Sequence, residues 1–266
     1  MEHFGAVARD DVVMNVMFGV RRWIVATVGA IGIGLGTASS AQESAALVAR
    51  AQTAYFSDNA SELAQTAAAA APWAVSQNPR ELATYAFVQF RLLQRAMQTG
   101  RKAEAERAGK ACVTALDTLI KLGPPRAEAH ALQSACYGYL ANLGGLGAIR
   151  NGSRSGKSIE AALAIEPRNP RVLLVDGFGV YFRPKFVGGD TGKGCARFRE
   201  AAAAFAAAGS AGLPSTLGID WGAPDAHYWA GRCARDAGDT AGAQREFERA
   251  LALRSDFVAA RRALGR

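Results

Sequence analysis

Histidine is scarce in this chain, with 3 in 266 residues, and there are only 4 cysteines. No His/Cys/Glu cluster has the spacing of metal ligands. No nucleophile elbow and no glycine-rich nucleotide fingerprint is present. These absences leave no candidate catalytic residue, metal or cofactor. They favour a binding protein over an enzyme, with an enzyme built on a helical scaffold as the alternative. Runs of β-branched residues are also few, while alanine is abundant, which favours helix on propensity. A concentrated block of one charge is missing as well. The balance of 31 Lys+Arg against 23 Asp+Glu gives +8, but the excess is spread along the sequence. That pattern reads as solvated helix faces rather than a nucleic-acid site.

One long apolar run stands at the start. Arg21 and Arg22 precede a chargeless stretch of sixteen residues, Trp23 to Ala38. It is shorter than the ~20 residues that span a bilayer. Ser39-Ser40-Ala41 then offers a small-x-small cleavage site before Gln42. Residues 1–41 therefore read as a signal peptide, and 42–266 as one exported helical domain with no stable membrane insertion after cleavage. Met14 or Met17 would give a signal of more usual length. A twin-arginine signal and an uncleaved anchor are the alternatives. An exported domain belongs in the periplasm.

The most regular stretch is 224–264. Ala243, Phe247, Ala250 and Leu251 make an i, i+4, i+7, i+8 stripe on one helix. Ala237-Gly238-Asp239-Thr240 separates it from a preceding helix, with Gly238 suited to a left-handed helix end and Asp239 or Thr240 to a cap. Gly231, Ala243, Phe247 and Ala250 fall at intervals of twelve, four and three. In this the segment resembles a tetratricopeptide (TPR) repeat, with Ser255 where the family has proline and Ala234 where it has tyrosine. The resemblance implies an all-α solenoid of antiparallel helix hairpins wound into a right-handed superhelix.

The rest of the exported chain fits further hairpins. Helices are predicted over 43–57 and 60–76, then from Pro79 to about Met97 and over 102–121. A pair follows from about Ala127 to Leu143 and from about Ser155 to Ile165, joined by a basic surface loop over 144–154. Gly152-Ser-Arg-Ser-Gly156-Lys157-Ser158 imitates a phosphate loop but has three residues between its glycines where four are needed. The next pair runs from Pro170 to Phe182 and from Asp190 to about Ala207. Its turn, Arg183 to Asp190, has proline, an aromatic and then Gly188-Gly189-Asp190. It is similar to a turn of exported bacterial TPR-like proteins that include helical partners of TRAP-type solute-uptake systems. That likeness implies a periplasmic solute-binding protein as partner. Residues 209–223 form a Gly/Pro/Ser-rich connection holding Trp221.

Export would place all four cysteines in an oxidising compartment, where three connectivities are open. Cys112 and Cys136 lie twelve residues either side of Pro124. In antiparallel neighbouring helices they stand level, which predicts a Cys112–Cys136 bridge. Cys195 and Cys233 flank the 209–223 connection in the same way. The alternative is that all four are small buried residues at tight helix crossings.

In TPR-like stacks the first helix of each pair lines a concave face suited to proteins, peptides or ligands. Taking Cys136, Gly177 and Gly231 as equivalent, positions −6, −3, +1 and +4 make one stripe. It comprises His130, Gln133, Tyr137 and Leu140; Arg171, Leu174, Phe178 and Tyr181; and Asp225, Tyr228, Arg232 and Arg235. Its aromatic and arginine content suits recognition of an acidic or aromatic-containing protein or peptide. The alternative is that Tyr137, Phe178 and Tyr181 fill core between hairpins.

Overall fold

The computed structural model describes residues 40–208 and 215–266. The chain divides into two compact units, Met1–Glu43 and Ser44–Arg266. Of the first, the described residues are the opening residues of helix α1. The expected signal segment lies almost wholly outside the described residues, as does the 209–214 part of the expected connection.

The described residues are α-helical with two short 3-10 turns and no strand. Helix α1 covers 40–56. It is followed by α2 (Ala60–Ala70), α3 (Pro79–Gln98), α4 (Lys102–Lys121), α5 (Ala127–Asn142) and α6 (Ala148–Ile165). Then come α7 (Pro170–Phe182), α8 (Thr191–Ala208), α9 (Ala223–Asp236), α10 (Thr240–Leu253) and α11 (Val258–Ala263). Helices α3/α4, α5/α6, α7/α8 and α9/α10 pack as hairpins. Helices α4/α5 and α8/α9 pack across successive hairpins. This is the all-α helical repeat the sequence predicts.

Local chemistry sets the boundaries. Asn78 and Asn169 each cap a helix that opens with proline, accepting from Arg80 N and Arg171 N at 2.9 Å. Proline loses nothing there, because that N–H has no partner within the helix. Asp239 caps α10 through Gly242 N at 2.7 Å. Gly238 leaves α9 with φ of 80°, the left-handed end expected of it.

Two boundaries differ from expectation. Helix α2 stops at Ala70, and Ala71–Val75 continues as a 3-10 turn, because Pro72 has no N–H for the helical ladder. Helix α6 begins at Ala148, so most of the expected 144–154 loop is helical and Gly152 and Gly156 lie inside it. The chain reverses instead at Gly144 and Gly145, with φ of 81° and 73°. Ser155 then holds the early part of α6 to α5, donating to Ser134 O at 2.9 Å.

The inward faces of α3, α5, α7 and α9 meet around residues 215–222. Leu217, Ile219 and Trp221 are buried, and Trp221 lies 6.3 and 6.4 Å from the rings of Phe87 and Phe90 on α3. Gln52 of α1 donates to Asp220 O at 2.7 Å. Residues 254–262 also return to the end of α1 and the turn after it. The rings of Phe56 and Phe257 are 4.5 Å apart, Arg254 donates to Thr53 at 3.0 Å, and Arg262 pairs with Asp58 at 3.1 Å.

Candidate functional site

The hairpin register decides which side chains share a face. A Cβ on Gly231 would stand 2.8 Å from Phe247 Cε1, and one on Gly177 would stand 2.7 Å from Phe198 Cε1. Each glycine therefore lets a phenylalanine of its own hairpin reach the first helix. In α5 this place belongs to Ser134, whose Oγ donates to Ser155 O at 2.9 Å. The preceding positions agree: Gln133 meets Ser158 as Asp176 meets Arg197, both at 2.8 Å. Cys136 corresponds to Cys233, two residues further on. Both face the second helix of the preceding hairpin and are disulfide-bonded to it, Cys112–Cys136 and Cys195–Cys233. Their Cα separations are 6.4 and 5.7 Å, within bridging range.

The expected equivalence of Cys136 with Gly177 and Gly231 is thus displaced by two residues, and the α5 part of the stripe does not join the rest. Gln133 is buried, donating to Asp117 at 2.7 Å. Tyr137 is buried with Arg154 5.7 Å from its ring centre, and burial, then Asp117, pushes its hydroxyl pKa up. His130 is half-buried, and burial lowers its pKa.

With the register corrected, Glu128, Arg171 and Asp225 occupy one level, and all three are interior. Arg171 pairs with Glu128 at 3.4 Å and Asp220 at 3.1 Å, and donates to Trp221 O at 3.0 Å. It is therefore a structural cation, and no contact surface includes it. Asp225 receives Arg91 of α3 through two bonds of 3.1 and 2.9 Å. These charges tie α3 to α9 and α5 to α7.

Phe178, Tyr181, Tyr228 and Arg232 are brought together, around a residue the sequence reading missed. Trp229 has ring contacts with Phe178 at 5.3 Å, Tyr181 at 5.8 Å, Phe182 at 5.3 Å and Tyr228 at 6.0 Å. The Arg232 guanidinium lies over it at 4.4 Å, a cation–π arrangement. Trp229 stands at i+4 from Asp225, and the chosen positions passed over it. All five residues named with Arg232 are partly exposed. Arg235 is exposed one turn further on, 5.9 Å from the Phe247 ring. Beside the cluster, burial raises the Asp176 pKa although Arg197 bonds it and opposes that shift.

A groove between α8, α9 and α10 has Arg199 and Arg245 on its walls over Ala230 and Ala234. Of its two acids, Asp239 caps α10 and Glu246 is engaged by His227 at 2.7 Å and Arg249 at 2.6 Å. Burial opposes the Glu246 charge, but these two partners outweigh it and hold its pKa low. Among the described residues no group of three or more His, Cys, Asp or Glu is arranged to hold a metal. No helix among them is long and apolar enough to cross a membrane.

The chain is similar in fold to a haemophore. The match is HusA from Porphyromonas gingivalis, with a TM-score of 0.54 and 19% identity over 66% of this chain and 86% of that one. A thermophilic TPR protein of Thermus thermophilus also matches, with a TM-score of 0.48 and 15% identity over 85% of this chain and 97% of that one. No family model and no curated protein matches the sequence. At these identities the likeness to the haemophore is one of fold. The chemistry of the site is read from this chain's own residues: stacked aromatic edges and faces, one guanidinium over the indole, and a second exposed beside it.

Proposed function

We propose that the protein is an exported, non-catalytic helical-repeat scaffold. It binds an acidic or aromatic-containing protein or peptide partner on the face shared by α7 and α9. The observation that carries this is the half-exposed cluster of Phe178, Tyr181, Phe182, Tyr228 and Trp229 under Arg232. Aromatic and arginine side chains dominate recognition surfaces, because aromatics offer much contact area for few rotatable bonds and arginine offers a planar charged fork. Two cysteine pairs at bonding distance support an oxidising, periplasmic location, as does the apolar segment before Gln42.

The test is comparative capture from a periplasmic fraction. The Arg232→Glu/Arg235→Glu variant should lose the captured partner while keeping its helicity and melting temperature. Tyr228 is spared because its ring packs on Phe247 and Phe257, 5.8 and 5.0 Å away. Undiminished capture by that variant would show that this face is not the site. Haemin forms the small-molecule arm of the experiment, since it is planar, aromatic and carries carboxylates. Arginine-dependent haemin binding without protein capture would make the chain a ligand carrier.

A role beside a TRAP-type solute-binding protein rests on the Arg183–Asp190 turn. That turn is tight: a Cβ on Gly189 would collide with Arg183 O. Gly188 has φ of 88°, and Asp190 accepts from Lys193 N at 3.0 Å. A solute-binding protein among the captured partners would support this reading.

A further inference from the structure

The hairpin turns carry apolar side chains that the fold does not use. Leu146, ahead of α6, is fully exposed, and Ile149 in its first turn is 88% exposed. In the α7–α8 turn Phe186 is 89% and Val187 52% exposed. First helices of successive hairpins run parallel, so these two turns lie on the same edge of the stack. The corresponding turns of the outer hairpins, Thr99-Gly100-Arg101 and Ala237-Gly238-Asp239, are small and polar. The apolar residues are thus confined to the middle of the edge.

Charge accompanies them. Residues 143–157 contain Arg150, Arg154 and Lys157 and no acid. Residues 182–193 contain Arg183, Lys185 and Lys193 against the single acid Asp190. Individually protruding aliphatic and aromatic side chains, with cations in the same two turns, match the boundary between acyl chains and anionic headgroups. A protein partner would be better served by side chains packed into a patch or groove. Here they project singly from two turns.

We infer that this edge docks on an anionic lipid surface. Leu146, Ile149, Phe186 and Val187 enter the interface, and Arg150, Arg183 and Lys185 meet the headgroups. The surface adjoins the Trp229 cluster at Phe182 and shares the Arg183–Asp190 turn, so the test reads the Phe186 label rather than partner capture. Docking of this kind is peripheral and needs no spanning helix.

The test uses the full chain with an environment-sensitive fluorophore on Phe186→Cys. A control carries the label on Leu253→Cys, which lies at the end of α10 on the opposite edge and is also exposed. Phosphatidylglycerol vesicles should shift the emission of the Phe186 label to the blue and leave the Leu253 label unchanged. Phosphatidylcholine vesicles should shift neither. At roughly a fivefold contribution per cation, Arg150→Gln/Arg183→Gln/Lys185→Gln should weaken binding by about 100-fold, and raised salt should release the protein. Equal shifts at both labels would mean indiscriminate adsorption and overturn the proposal. So would a label that ignores vesicles yet responds to a membrane-free periplasmic extract, which would assign the edge to a protein.

Discussion

Replacing Arg91 with methionine tests whether the inward charges hold the hairpins together. The Arg91 side chain is 1% exposed and that of Asp225 is 8%. Methionine keeps the aliphatic stem and removes the guanidinium. It deletes two charge-assisted bonds to Asp225 and one of 2.9 Å to Gln94. It also deletes a cation lying 4.3 Å over the Tyr55 ring. The larger effect falls on what remains, because the Asp225 carboxyl is left inside the protein without its cation. Breaking a buried pair in this way costs about 3–5 kcal/mol. Removing both charges with Arg91→Met/Asp225→Leu leaves no buried charge unpaired, only Gln94 Oε1 without its donor, and the cost should fall to about 1–2 kcal/mol. The assay is urea unfolding of the four proteins of the cycle, followed by far-UV circular dichroism. It should give a coupling energy of at least ~2 kcal/mol, little changed by salt because the pair is screened from it. A double variant as unstable as the sum of the singles would refute the reasoning and reduce the pair to local packing.

Two other outcomes follow from the same structure. The disulfides close loops with sequence separations of 24 and 38, so chain entropy assigns them about 3.5 and about 4 kcal/mol. Urea midpoints of Cys112→Ala/Cys136→Ala and of Cys195→Ala/Cys233→Ala should drop accordingly, and an unchanged midpoint in either would mean that pair is not bonded. His130 has a pKa lowered from 6.5 by burial. Its neutral form is the one the fold prefers, so its contribution is present above about pH 6.5 and is lost as pH falls through the lowered folded value. Urea midpoints across that window should decline less in His130→Gln than in the wild type, and equal slopes would exclude His130 as a cause.

The α9/α10 hairpin was legible because it depends on short-range spacing. A glycine in one helix and a phenylalanine sixteen residues later meet whatever the rest of the chain does. The disulfides were legible for a similar reason, since level positions in antiparallel neighbours need only helix geometry. The register of α5 was not. Ser134 and Cys136 are both small, both buried and two residues apart, and tertiary contacts such as that of Ser134 with Ser155 are needed to distinguish them. The start of α6 was hidden by Gly152 and Gly156, whose low helix propensity is overridden by tertiary packing. The inward arginines were hidden because their partners are distant in sequence: Asp225 is 134 residues from Arg91, and Asp220 is 49 from Arg171. An arginine on a helix stripe reads as surface until a buried carboxylate is seen beside it.

The meeting of Phe257 with Phe56 bears on how such a chain can change over evolutionary time. An open array of hairpins gains or loses a unit by duplication or deletion, and each new length remains a viable protein because every unit leans only on its neighbours. Here the final turn of the chain must arrive over α1, and Asp225 must arrive opposite Arg91. An inserted hairpin would carry both past their partners and strand a charge in the interior. A change of repeat number would therefore cost this chain more than a change in its turns and partly exposed faces, where function is proposed to lie.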